Sequence, residues 1–498
     1  MIHCLPPDSK ILTEFGYYLP IKEFQKKKVR VLVFDKDKNS LVPACIKNFW
    51  KFKNTKKVLK IRTLTGLELT CTSDHPILTE NGWKIAEELK KGDKVLVSPF
   101  EGVEYEEPKN LIILEEKHLK KVGATEGMIR NLKKKGLVPL KLTDEKIGII
   151  ARLVGYAFGD AWIGGKRPTV KFCDKPEVLE KIREDLKVLG FGSTLIKQKK
   201  RKITIQHVKG IIQSEGMGYH LVVTSPSFAI FLNALGVPRG KKTDTRFDIP
   251  DWIRESPKWI KRLFLAGYFG AEMNSASVRK NEPYRIEGLS VSLNKVEDLL
   301  EDGVKFMKSC RQLLKEFGIE SAIFVFPYTR RKDGKISYKI LLRLSTKLEN
   351  MLRFLGKVGC EYHLEKLTKF IQCLHYYRYK KKIIETESEI AGKSFSSSLF
   401  TAYKFKEASL LPFTEFVEGL SAGKLVMWDI VEEIEEVKGN VDEVYDLTID
   451  HPEHNFVANG FIVSNTGSRG LGHQVATDYL QIIEREHKDL LRKLPDRE

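Results

Sequence analysis

The sequence predicts a multidomain protein in which an all-β domain is split by an inserted α+β domain built from two repeats. Three observations carry that prediction. Short β-type runs bounded by turn residues fill the first hundred positions and return only from about position 428. Between them the apolar period becomes helical, and a helix, strand, helix order occurs twice, over 145–240 and 256–357. Charge follows the same division. Residues 141–400 hold 48 Lys and Arg against 29 Asp and Glu, whereas 1–140 hold 27 against 18 and 401–498 hold 10 against 19, so the flanks cancel and the net +19 belongs to the middle. A cationic middle in a neutral frame points to a polyanionic partner. The plainer alternative is a Lys-rich solvated surface of a heat-adapted protein.

The β domain rests on runs at 9–13, 29–33, 58–63 and 68–72, and at 428–434, 444–449 and 455–458. The insert rests on helical periods at 144–160, 177–189, 257–272, 296–317 and 348–355. Strand-like pieces at 169–172, 203–206, 219–224, 285–293, 322–326 and 336–344 alternate with them. A Lys-rich segment, 114–136, has helix-turn-helix character with Gly123 at the turn, or is a solvated linker helix. Residues 376–382 interleave tyrosines with cations, a composition suited to nucleic acid but common at exposed helix ends. Residues 394–398 form a short serine-rich linker. The expected boundaries are 1–3, 4–110, 111–143, 144–395, 396–465 and 466–498.

With 42% apolar residues the chain has ample core, and no run of about 18 apolar residues suggests a membrane span. The seven cysteines are scattered without a Cys-x-x-Cys pair, which argues against zinc modules and disulfides and for a cytoplasmic protein. Cys4, almost at the start, is then a candidate reactive thiol.

Cys4 has counterparts far along the chain. A cysteine thiol attacks the peptide bond before it, an asparagine amide at Asn465 cyclises and cuts the bond after it, and a hydroxyl at Thr466 receives an acyl group. The middle thus reads as an insertion that removes itself. Between these ends stand Thr72-Ser73-Asp74-His75, Val444-Tyr445-Asp446-Leu447-Thr448-Ile449 and His454-Asn455-Phe456-Val457-Ala458-Asn459-Gly460. In this order the blocks resemble inteins of the Hint family, which implies an all-β horseshoe domain and protein splicing without any cofactor. By that resemblance His75 protonates the departing amine, Thr72 holds or polarises the scissile carbonyl, Asp446 assists acyl transfer to Thr466, and His454 assists the last cleavage. The family usually has His before the terminal Asn; this chain has Ser464.

The two repeats open with 153–161, Leu-Val-Gly-Tyr-Ala-Phe-Gly-Asp-Ala, and 265–273, Leu-Ala-Gly-Tyr-Phe-Gly-Ala-Glu-Met. Gly155 with Gly159, and Gly267 with Ala271, put small residues four apart on one helix face, so two such helices can pack closely. Asp160 and Glu272 then meet at the helix ends. These motifs resemble those of LAGLIDADG homing endonucleases, although Ala161 and Met273 replace the usual ninth glycine. The resemblance implies Mg2+ (or Mn2+) held by Asp160 and Glu272, double-stranded DNA at the insertion site as substrate, and sheets that read the major groove. Lys197, Lys199, Lys200, Arg201 and Lys202 in one half, and Arg330, Arg331, Lys332, Lys335 and Lys339 in the other, are the expected DNA contacts.

Joined across the insert, the flanks read Met-Ile-His-Thr-Gly-Ser-Arg-Gly-Leu-Gly-His. That resembles the RtcB-type RNA ligases of tRNA splicing, which implies that His3 ligates a metal in an Mn2+- and GTP-dependent site once the host is spliced. The partners expected are therefore DNA and the flanking host segments, with no membrane, and a monomer is expected. The alternatives are a splicing insert that only binds DNA, and a Hint processing domain that cleaves without ligating.

Overall fold

The computed structural model describes residues 3–198, 201–207, 210–216, 218–279, 282–330, 334, 336–391, 410–439 and 441–465, with the backbone alone for 201–207 and 210–216. Contacts divide the chain into two compact units. The described residues of the first run 3–14, 18–98 and 426–465, and those of the second 15–17 and 99–425.

The first unit is a β structure whose strands come alternately from the two ends of the chain. One path through its sheet runs Lys10–Leu12, Asn455–Ala458, Phe461–Ser464, Pro76–Thr79, Lys94–Val97, Met427–Glu436, Val58–Thr63, Glu68–Thr72. Ile11 lies opposite Ala458, Val463 opposite Ile77, and Leu96 opposite Trp428. These strands alternate or run apolar, and Ile11, Ile77, Val95, Val97, Phe461 and Val463 are fully buried, so the core is itself interleaved. The sheet turns because Met427–Glu436 serves two partners: it pairs first with Lys94–Val97 and then, past a register shift between Val431 and Glu433, with Val58–Thr63. Asn459 and Gly460, both at positive φ, make the two-residue turn that returns the chain into Phe461–Ser464.

The second unit is α+β. Helix α1 (Ile147–Asp160) and helix α2 (Lys258–Glu272) pack along each other at its centre. A four-stranded sheet, Ala161–Gly164, Thr169–Cys173, Tyr219–Val223 and Thr194–Lys197, accompanies the first repeat. A five-stranded sheet runs Gly210–Gly216, Arg201–His207, Ser321–Arg330, Ile336–Leu344, Ser290–Val296. The hairpin 201–216, sequentially in the first repeat, therefore joins the sheet of the second through His207 and Thr329.

Two sequence expectations differ from this structure. Residues 99–110 were placed with the β domain but cluster with the insert, because Trp259 of α2 donates to the Glu106 carbonyl (3.0 Å) and stacks near Tyr105. The aromatic and cationic run 376–382 lies inside the helix Leu364–Ala391. Tyr376, Tyr377 and Tyr379 are core residues there, with Tyr376 and Tyr379 packed on Phe416, and Lys380 is buried beside the Tyr284 carbonyl. Those tyrosines have no free ring face for a base. Among the described residues no helix is long and apolar enough to cross a membrane.

Candidate active sites

In the β unit, strand pairing gathers residues that the sequence scatters. Leu5 exchanges two backbone hydrogen bonds with Tyr445, both 2.8 Å, which lays Cys4 beside Asp446. Glu68–Thr72 then ends in a turn closed by His75 N–H to the Thr72 carbonyl (3.0 Å), so Thr72 and His75 face the same junction. The Cys4 N–H, which is the nitrogen of the His3–Cys4 bond, donates to Thr72 Oγ1 at 3.1 Å, and the Cys4 carbonyl accepts from the Thr72 N–H at 3.1 Å. Thr72 therefore grips the junction from its nitrogen side, with its hydroxyl 3.3 Å from the Cys4 carbonyl.

Cys4, Thr72, His75 and Asp446 are all buried. Burial, then the charges of Asp446 and Asp74, pushes the Cys4 thiol far up, so the resting sulfur is protonated. Burial, then the neighbouring His3, pulls His75 down to about 3, so its ring is neutral. The structure adds two residues that no motif assigned. Although burial opposes it, hydrogen bonding from His3, Lys56 and Thr72 holds the Asp74 carboxyl well below the usual range; His3 Nδ1 lies 3.4 Å away and Lys56 is a direct ion pair. Asp74 and Lys56 thus tie His3 to the turn that carries Thr72 and His75.

At the other junction Asn465 is buried, and its N–H donates to the His454 carbonyl at 2.9 Å. In the orientation that satisfies both ends of its side chain, Nδ2 donates to the same carbonyl (3.1 Å) and Oδ1 accepts from the Ile449 N–H (2.7 Å). His454, at positive φ, holds Asn465 through its backbone carbonyl. Ser464 Oγ stands 3.4 Å from the Asn465 carbonyl oxygen. Thr466 lies outside the described residues.

In the inserted unit, α1 and α2 meet through their glycines. A Cβ on Gly155 would sit 2.0 Å from the Phe264 carbonyl oxygen, one on Gly267 2.2 Å from that of Arg152, and one on Gly159 2.4 Å from the Ala271 Cβ. Only hydrogen fits at these places. The contact brings Asp160 and Glu272 together at the helix C-termini. Burial, then the charge of Glu272, lifts Asp160 to about 7, and burial raises Glu272 as well. Two lysines unforeseen from the motifs stand beside them. Lys242 Nζ bonds the Gly159 carbonyl, and Lys366 Nζ donates to the Gly270 carbonyl at 2.6 Å. Each cation thus caps the negative end of one helix. Burial lowers both, Lys242 to about 8.

Of the expected DNA contacts, Lys197 is exposed at the end of its strand and Arg330 at the end of Ser321–Arg330; Lys339 is half-buried, 5.5 Å over the Tyr328 ring. Arg201 and Lys202 lie in a strand described by backbone alone. Lys199, Lys200, Arg331, Lys332 and Lys335 lie outside the described residues.

A family model for an intein splicing domain matches residues 11–465. Over 477 residues the chain is 35% identical to a tRNA-splicing ligase RtcB of Pyrococcus abyssi, a match covering 94% of this chain and 48% of that protein. Over 475 residues it is 34% identical to the DNA-directed RNA polymerase subunit Rpo1N of Methanocaldococcus jannaschii, covering 93% of this chain and 34% of that protein. The chain spans about half the length of the curated ligases it matches. Among solved structures it is similar to a DnaB intein from Synechocystis sp. (22% identity, 19% of this chain and 69% of that one, TM-score 0.19). It is also similar to a homing endonuclease bound to its DNA recognition sequence (13% identity, 50% and 97%, TM-score 0.29).

Proposed function

The chain belongs to the intein splicing-domain family, and on that premise we propose that it excises residues 4–465 and joins His3 to Thr466. The observation that carries this reading is the clamp on the scissile amide, with Thr72 Oγ1 accepting from the Cys4 N–H inside a buried cluster that also holds His75. The Cys4 sulfur attacks the His3 carbonyl carbon, the C–N bond breaks, and the thiol proton ends on the freed Cys4 amine. His75, a strong acid once charged, would hand a proton readily to the departing amine, while the attacking thiol gives up one in exchange. Thr466 Oγ then displaces the sulfur from the thioester, its proton passing to the sulfur, with Asp446 assisting.

Asn465 Nδ2 next attacks its own carbonyl carbon, forming a succinimide and freeing the Thr466 amine, which rearranges the ester to an amide. Ser464 and the His454 carbonyl flank that step. Holding both junctions in one β unit makes each step intramolecular, worth up to about 7–11 kcal/mol of barrier in favourable cases. Mass spectrometry of the expressed full chain tests the reading. Residues 4–465 and a ligated flank are expected; cleavage at Cys4 with no ligated flank would favour the processing alternative.

We infer further that the inserted unit cleaves double-stranded DNA. Two carboxylates raised in proton affinity by burial, Asp160 in part also by the charge of Glu272, fit a divalent cation, Mg2+ or Mn2+. Bound there by Asp160 and Glu272, it would supply Lewis acidity and a more acidic water. Among the described residues no third His, Cys, Asp or Glu joins the pair, so water and phosphate oxygens would complete the shell. Lys242 and Lys366 bring positive charge to where a phosphate would gain negative charge. Relatives of similar identity named as an RNA ligase and as an RNA polymerase subunit match nearly the whole chain, which supports an insert carried by different hosts. The flanks here fit a ligase host, in which His3 would serve as a metal ligand in an Mn2+- and GTP-dependent site after splicing. Cleavage of a duplex in which the flanking coding segments are joined, with Asp160→Asn as control, separates a nuclease from an insert that only binds DNA.

A further inference from the structure

The segment between the β unit and α1 takes part in neither chemistry. Ile112–Leu114 pairs with Leu140–Lys141 as a short ribbon, and between them stand the helices Glu116–Lys121 and Glu126–Lys134. The turn joining them is closely specified. Gly123 has φ +87°, its N–H bonds the Lys120 carbonyl, and the Ala124 N–H bonds the Leu119 carbonyl, a glycine stop that ends one helix sharply. Thr125 Oγ1 then accepts from the Met128 N–H and starts the next helix.

One face of this hairpin is fixed in place. Leu119, Ile129, Leu132 and Leu137 are buried, the helices pack on Pro226–Ala234, and Lys135 Nζ lies 5.0 Å over Phe191, whose ring packs on Phe228. The other face is open. Gly127, Arg130, Asn131 and Lys134 recur at helical spacing and all are exposed. Nearby Lys117, Lys120 and Lys133 are each paired with a glutamate, whereas Arg130 and Lys134 have no ion-pair partner among the described residues. Gly127 weakens the helix, yet a Cβ there would meet nothing nearer than Thr125 Oγ1 at 3.9 Å. No internal packing asks for that glycine.

We propose that residues 112–141 form a second DNA-reading element, a helix-turn-helix whose Glu126–Lys134 helix enters the major groove. Arg130 and Asn131 are the base readers, matching guanine and adenine edges, and Lys134 meets phosphate. Gly127 lets the helix approach. The inference rests on double-stranded DNA being the substrate of the inserted unit.

Hydroxyl-radical footprinting tests it, using the full chain with Cys4→Ala and Asp160→Asn to stop both reactions, on the duplex with joined flanking segments. Arg130→Ala with Asn131→Ala is expected to weaken binding roughly tenfold or more and to erase one outer stretch of protection. Lys134→Ala should lower the salt slope by about one. Gly127→Glu, which favours the helix but crowds the open face, should weaken binding without loss of thermal stability. In chains keeping Cys4, splicing yield is expected to be unchanged by these substitutions. Unchanged affinity and footprint, or equal protection of an RNA duplex of the same sequence, would overturn the hairpin's role and leave the nuclease reading standing. No protection of the duplex by the parent chain would overturn both.

Discussion

The two candidate active sites bury ionisable groups in opposite ways. At the splicing junction, Cys4 and His75 are sealed in the sheet and burial keeps both uncharged at neutral pH. At the ends of α1 and α2, Asp160 and Glu272 are half-buried carboxylates; burial, then the charge of Glu272, raises Asp160 to about 7, with lysines beside them. On the proposed reading the first site already contains its substrate, since the bond to be cut is part of the chain, so nothing has to enter and water is best kept out. On the same reading the second has to admit phosphate and a cation, which agrees with carboxylates that are only half-buried. What a site must admit decides how far its groups can be buried.

The largest effects would break the contrast outright. Cys4→Ala is expected to remove every ligated product from the mass spectrum while cleavage of the joined duplex continues. His75→Ala should slow thioester formation about 10²–10⁴-fold, read as N-terminal cleavage by added thiol. In the other unit, Glu272→Gln should lower duplex cleavage on the order of a hundredfold or more and leave splicing intact.

Packing gives the next test. Gly155→Ala forces a methyl against the Phe264 carbonyl and should destabilise the inserted unit by about 3 kcal/mol, seen as an earlier unfolding transition in calorimetry.

Acidity should then divide the units by sign. His75 has a native pKa below its unfolded value, so stability of the β unit is lost as pH falls from about 6.5 toward 3. Asp160 and Glu272 have native values above their unfolded ones, so their penalty is absent at low pH and grows as pH rises from about 4 through 7. His363, held down by burial, opposes this in part. Going from pH 8 to 5 without divalent cations, the β unit should weaken and the insert strengthen, each by about 1–2 kcal/mol in unit-resolved hydrogen exchange. Added Mg2+ should cancel the second change.

The smallest effect concerns the substituted position. Ser464→Ala should slow C-terminal cleavage by a few-fold, as expected for one weak neutral hydrogen bond of about 1 kcal/mol, and Ser464→His should accelerate it.

Much of this was readable in advance where chemistry or periodicity constrains residue type. Cys4 and Asn465 stand out in the sequence because few side chains could perform the proposed reactions, and both are buried, whereas Thr466 lies outside the described residues; Gly155 and Gly267 stand out because a close helix crossing excludes a side chain. Asp74 and Lys56 were not readable as a pair, since an acid and a lysine 18 positions apart acquire meaning only when strands pair. Lys242 and Lys366 escaped for the same reason: each reaches a helix end more than 80 residues away in sequence. The tyrosines of 376–382 misled because their helix is buried on more than one side, which hides the apolar stripe that would have marked them as core.

The interleaving of the sheet also sets a clock. Ile11 and Ile77 wait for partners at Ala458 and Val463, so strands that pair early on one side leave the ribosome long before their other neighbours exist. At ordinary synthesis rates, residues 99–425 take on the order of tens of seconds to make, long enough for the insert to fold by itself first. The Cys4–Thr72 contact can form early, but the Leu5–Tyr445 bridge that lays Cys4 beside Asp446 forms only when translation has passed residue 445.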